Sequence, residues 1–168
     1  MKTISGIIIV ISFGLFLAAC DVRQSEPPVD QAGEAANHAQ QSLVAFLEDL
    51  HNGRYDEAAK LYGGNYEIMI YHNPNHDPND HSGLLRNACT INGTACLELK
   101  SITLVGEGSA NVFEFKVEFM DDDGTLFVLG PCCGGNETDT PSQSVFTFTV
   151  LKNNDGNFVV MEMPPYVP

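Results

Sequence analysis

Three histidines crowd into the segment Tyr71-His72-Asn73-Pro74-Asn75-His76-Asp77-Pro78-Asn79-Asp80-His81, together with two carboxylates. Neutral imidazoles beside a carboxylate suit zinc or copper, which makes His72, His76 and His81 the candidate metal ligands. The same residue types also build any solvated turn. His72 and His76 could share an ion as helical neighbours four apart, but Pro74 opposes a helix between them. The turn reading is therefore preferred, and no metal is assigned. Calcium fits less well, because Asp77 to Asp80 lacks the alternating acids and glycine of a calcium loop.

No other stretch offers catalytic chemistry. Ser82 and Ser109 lie in no nucleophile elbow, and Gly106-Glu107-Gly108 reads as a short turn without the glycine pattern of a phosphate loop. Glu114 and Glu118 share a strand face, but the wet one. Asp121-Asp122-Asp123 reads as a hairpin tip, and Asn92-Gly93-Thr94 and Asn136-Glu137-Thr138 as surface turns. No catalytic residue is assigned and no cofactor is implied.

What the cysteines can do depends on compartment. Met1-Lys2-Thr3 is a basic start, Ile7 to Leu17 is an apolar run, and Leu17-Ala18-Ala19-Cys20 ends it in small residues directly before a cysteine. This resembles the lipobox of bacterial lipoprotein signal peptides. The resemblance implies cleavage before Cys20, a diacylglycerol on its thiol, and an extracytoplasmic, lipid-anchored protein of the cell envelope. Asp21 after that cysteine implies retention at the inner membrane if the host is an enteric bacterium. The apolar stretch itself is shorter than the ~20 residues of a spanning helix. Without the signal the chain carries 7 Lys and Arg against 22 Asp and Glu, a charge of −15 that repels phosphate backbones and excludes nucleic acid as a partner.

In an oxidising compartment Cys89, Cys96, Cys132 and Cys133 are most simply two disulfides, with three pairings open. Neighbours in an extended chain point opposite ways, so Cys132 and Cys133 are each expected to bridge to Cys89 or Cys96. A vicinal Cys132–Cys133 bond, strained and easily reduced, is the redox alternative. A thiolate zinc site does not fit C-x6-C followed by adjacent cysteines.

The elements that must position these groups follow in order. Residues 1–19 read as the signal and 20–37 as a polar tether with Pro27-Pro28. Residues 38–168 read as one domain. Ala39, Leu43, Phe46, Leu47 and Leu50 form a helical stripe that Asn52-Gly53 ends. Tyr55 to Tyr62 is a second helix ended by Gly63-Gly64. Ile68-Met69-Ile70 fits either a helix or a short strand. Asp80 or Ser82 caps a helix that turns Leu84, Leu85 and Ala88 inward.

Beyond Cys96 the period becomes two. Leu97 and Leu99 share one face and Ile102 and Leu104 the other parity, so a bulge is expected around Lys100-Ser101. Phe113 to Phe119 alternates with polar residues, Asp121 to Gly124 turns into a strand over Thr125 to Leu129, and Phe146 to Val150 and Phe158 to Met163 complete an antiparallel set. Pro164-Pro165 ends it.

Helices followed by an antiparallel sheet define an α+β domain with the helices on one face of a curved sheet. The element order, the helices from Leu43 to Tyr62 and the closing Phe158-Val159-Val160-Met161 strand resemble the NTF2-like (cystatin-like) superfamily of rolls. That resemblance implies a concave face that either lines a pocket or is filled by side chains. The acid dyads of the superfamily's enzymes have no matching positions here. The expected role is non-catalytic binding of an envelope protein or small ligand. The alternatives are a pocket enzyme with a buried ionisable residue on the concave face, and metal handling by the histidine segment.

Overall fold

The computed structural model describes residues 31–109, 111–130 and 141–167. Ala36, Ala39, Leu43, Phe46, Leu47 and Leu50 recur at helical spacing, and α1 (Gln31–His51) turns them all into the core. This helix corrects the expected tether, which reached Asn37: Ala35 and Ala36 are small, strong helix formers that pack against the core, so the ordered domain begins earlier. Gly53, at φ +71°, ends α1 in the left-handed region. Arg54 then locks the turn, its Nε donating to the largely buried Asp49 carboxylate at 2.6 Å and its backbone N–H to the Asp49 carbonyl at 2.8 Å.

Three short helices follow, α2 (Tyr55–Leu61), α3 (Glu67–His72) and α4 (His81–Thr90). The ambiguous Ile68-Met69-Ile70 segment is helical, burying Met69 and leaving Ile68 73% exposed. Asp80 caps α4, its Oδ1 accepting from the Gly83 N–H at 2.9 Å, and Leu84, Leu85 and Ala88 are buried as expected.

Strands β1 (Glu98–Ser109), β2 (Val112–Met120), β3 (Phe146–Lys152) and β4 (Phe158–Val160) form one antiparallel sheet in the order β1-β2-β3-β4. The expected bulge is present: register shifts between Leu99 and Ser101, and twice more along β1, between Leu104 and Gly106 and between Glu107 and Ser109. The first shift keeps inward-facing residues on the core side, so that Leu99 lies opposite Phe119 and Ile102 opposite Val117. Gly106-Glu107-Gly108, expected as a turn, instead continues β1, because Gly106 and Glu107 pair with Glu114 and Phe113.

Two expected strands shrink. Thr125 to Leu129 makes only isolated bridges, Met120 with Leu126 and Leu129 with Gln143, since no continuous partner lies beside it among the described residues. At β4, Met161 still donates to the Thr149 carbonyl, but the Thr149 N–H goes to the Glu162 carboxylate at 2.6 Å, so the ladder stops.

The inner face of β2 and β3 carries Phe113, Phe115, Val117, Phe119, Phe146, Phe148 and Val150, all buried against α1 and its neighbours. The result is an α+β fold with helices on one face of an open, curved sheet. Among the described residues no helix is long and apolar enough to cross a membrane.

Candidate functional site

The connection between α3 and α4 brings the histidine segment to the surface, and local bonds decide its shape. Asn73 closes the end of α3, its Nδ2 donating to the Met69 carbonyl at 2.7 Å. Asn87 of α4 donates to Asn73 Oδ1 at 2.9 Å, tying the two helices together. Asp77 Oδ1 accepts from the Asn79 N–H at 2.9 Å, the side-chain turn that aspartate favours. An open depression of about 320 Å³ is lined by His72, Asn73, Pro74, Asn75, His76 and Asn87.

The three imidazoles diverge. His72 is exposed and meets Tyr71 edge-on, with ring centroids 5.3 Å apart. His76 Nε2 lies 3.0 Å from Asp80 Oδ2, within ion-pair range, but the ring N–H is not aimed at that oxygen and the contact is electrostatic. His81 stacks flat on Tyr66 at 4.0 Å between centroids. Among the described residues no group of three or more His, Cys, Asp or Glu side chains could hold a metal ion. Asp80 serves the fold instead. The Gly83 N–H holds its carboxyl below the usual range, and the neighbouring His76 adds to the effect. A Cβ at Gly83 would meet the side-chain ends of His76 and Asp80, which would have to turn aside to admit it.

Beneath this connection lies a group that sequence reasoning missed. Phe46 stacks on Tyr62 at 5.7 Å, Tyr62 meets Tyr66 edge-on at 5.0 Å, and Tyr66 carries His81. Burial pushes the Tyr66 hydroxyl up to about 12, with Tyr62 contributing, and its oxygen hydrogen-bonds to nothing among the described residues. Tyr62 is raised too, by burial and then by the Glu162 charge, and its hydroxyl donates to the Asn65 carbonyl at 3.2 Å. The available signal was two tyrosines bracketing Gly63-Gly64. Gly64 is needed because a Cβ there would strike the Met161 carbonyl and Tyr62.

The cysteines require a correction. Cys89 bonds to Cys96, with Cα atoms 5.5 Å apart, so neither is available to Cys132 or Cys133 as expected. The physical reason is proximity: α4 ends beside Cys89 and the chain turns at Gly93 (φ +81°) before Cys96, which brings the two within bridging range. Cys20, Cys132 and Cys133 lie outside the described residues.

Chemically, His76 and Asp80 face each other as an electrostatic pair, and both high-range tyrosines are protonated at neutral pH. On the inner face of β2 and β3 every described residue is apolar and buried, and the perturbed Tyr62 and Tyr66 pack against the same core. The chain matches no protein-family model and no curated protein sequence, and its chemistry rests on this geometry.

Proposed function

We propose that this protein is a lipid-anchored component of the bacterial cell envelope whose disulfide-stapled, NTF2-like domain binds a protein or small ligand at its surface without catalysing a reaction. The observation that carries the non-catalytic reading is the filled concave face: Phe113, Phe115, Phe119 and Phe148 occupy it with almost no exposure. A roll packed in this way acts as a scaffold, and binding falls to its outer surface. There, large apolar side chains are left in water, including Ile68 at 73% and Tyr71 at 80% exposure on α3. The anchor reading is supported by Leu17-Ala18-Ala19-Cys20, and the Cys89–Cys96 bond suits an oxidising compartment.

The test of the anchor is palmitate labelling in a bacterial host. The native chain should incorporate label and fractionate with membranes, and Cys20→Ala should do neither. Equal labelling of both chains would remove the anchor. For the surface, in-cell photocrosslinking from position 71 should trap a discrete envelope partner that position 114, on the wet face of the sheet, does not. Identical products from both positions would remove the α3 surface as the binding site.

A further inference from the structure

The last described residues are held through the disulfide loop. The Ala95 N–H donates to the Pro165 carbonyl at 2.8 Å, the Val167 N–H donates to the Gly93 carbonyl at 2.8 Å, and Thr94 and Tyr166 form an isolated antiparallel bridge. Gly93, Thr94 and Ala95 all lie inside the loop that the Cys89–Cys96 bond closes. The Tyr166 ring lies beside Gly93 yet is 60% exposed, so its burial holds the tail weakly. A pairing this short does not persist in water unless its template is held in shape. Both cysteines are half-buried.

We propose that the Cys89–Cys96 bond is a redox-sensitive clasp for the carboxy-terminal tail: a dithiol reductant opens it and frees residues 165–167 while the core stays packed. A thiolate of the reductant attacks one sulfur, forming a mixed disulfide and expelling the other cysteine as a thiolate. The reductant's second thiolate then displaces the remaining cysteine. Two electrons reach Cys89 and Cys96, each sulfur takes up a proton, and the reductant leaves as a disulfide. The core stays packed because Phe113, Phe115 and Phe148 are held by α1 and the sheet, with Cys89 and Cys96 only partly buried against it. Coupling runs both ways, so a seated tail also shields the bond from reduction.

The test uses the full chain in detergent carrying Cys132→Ser and Cys133→Ser, which removes the adjacent cysteines from the thiol count. Amide hydrogen exchange is followed with and without dithiothreitol. Exchange at Ala95 and Val167 should accelerate on the order of tenfold on reduction, while the amide chemical shifts of Phe115 and Phe148 keep their folded values. Unchanged exchange at Val167 with both thiols titrated would overturn the clasp. So would chemical shifts of Phe115 and Phe148 that collapse to unfolded values along with those of the tail. Independently, the otherwise native chain shortened to end at Pro164 should lose its Cys89–Cys96 bond to the same dithiol several-fold faster than the full chain. Equal rates would overturn the coupling.

Discussion

Two connections flank α4, and they are closed by opposite means. On the amino side, residues 73–80 hold nearly all the polar chemistry visible in the sequence and spend it locally: Asp77 bonds to Asn79, Asp80 caps its own helix, and His76 faces Asp80. On the carboxy side, residues 91–97 look unremarkable, yet they are tied by a covalent bond at one edge and by the distant chain end at Pro165 and Val167. Residue types that suggest chemistry can be fully occupied in shaping a turn. A bland loop can couple parts of the chain that are far apart in sequence.

The strongest way to break the contrast is to remove the covalent tie. Cys89→Ser with Cys96→Ser should lower stability by roughly 2.5 kcal/mol for so short a loop, read as a drop in the urea midpoint with the slope unchanged. A loss near zero would place the carboxy connection on the same footing as its neighbour. Gly83→Ala tests the amino connection where it is tightest. The added methyl must turn the His76 and Asp80 side-chain ends aside and loosen the Asp80 cap, costing about 1 kcal/mol by thermal denaturation. An unchanged melting temperature would show that the segment yields freely.

Smaller effects separate the histidines. His81→Ala should cost about 0.5–1.5 kcal/mol through its stack on Tyr66, whereas His72→Ala should stay within about 0.5 kcal/mol. Equal losses would contradict the divergent placement of the rings. Tyr66→Phe removes a buried hydroxyl without a partner and should be neutral or stabilising by up to about 1 kcal/mol. Because the folded value of Tyr66 is raised, its contribution is intact below pH 10.0 and is lost as pH rises towards about 12. The variant should flatten that alkaline decline, and an identical pH profile would remove Tyr66 as its source.

The least change is expected from Asp80→Asn, which keeps an acceptor for Gly83 but no charge. The folded carboxyl is depressed, so its stabilisation is present above the ordinary value of 3.8 and is lost as pH falls through the lower folded value. The acid limb of the stability curve should therefore be shallower in the variant. A limb that superimposes on that of the native chain would make the Gly83 bond indifferent to charge.

Most of the fold was legible because burial imprints period on sequence. The alternation from Phe113 to Phe119 located β2, and the change of parity after Leu99 located a bulge before any partner strand was known. Thr125 to Leu129 has the composition of a strand but lacks, among the described residues, a neighbour to complete it, and composition cannot supply one. The site was less legible. Cysteine spacing leaves connectivity open, and the bond chosen depends on where α4 ends. The stack from Phe46 through Tyr62 and Tyr66 to His81 joins residues from α1, the end of α2, the approach to α3 and the start of α4, so no window of sequence contains it.

The register shifts along β1 have a further consequence for the protein's behaviour in company. β1 is an outer strand of the sheet, and a long regular edge of its length invites a second chain to extend the sheet. Here the spacing of backbone donors and acceptors resets three times, and Lys100 sits at the first reset. A straight guest strand can match only a short run before its bonds fall out of step, and it would bring a charge against its own backbone there. The irregular strand thus works against templated stacking along this edge.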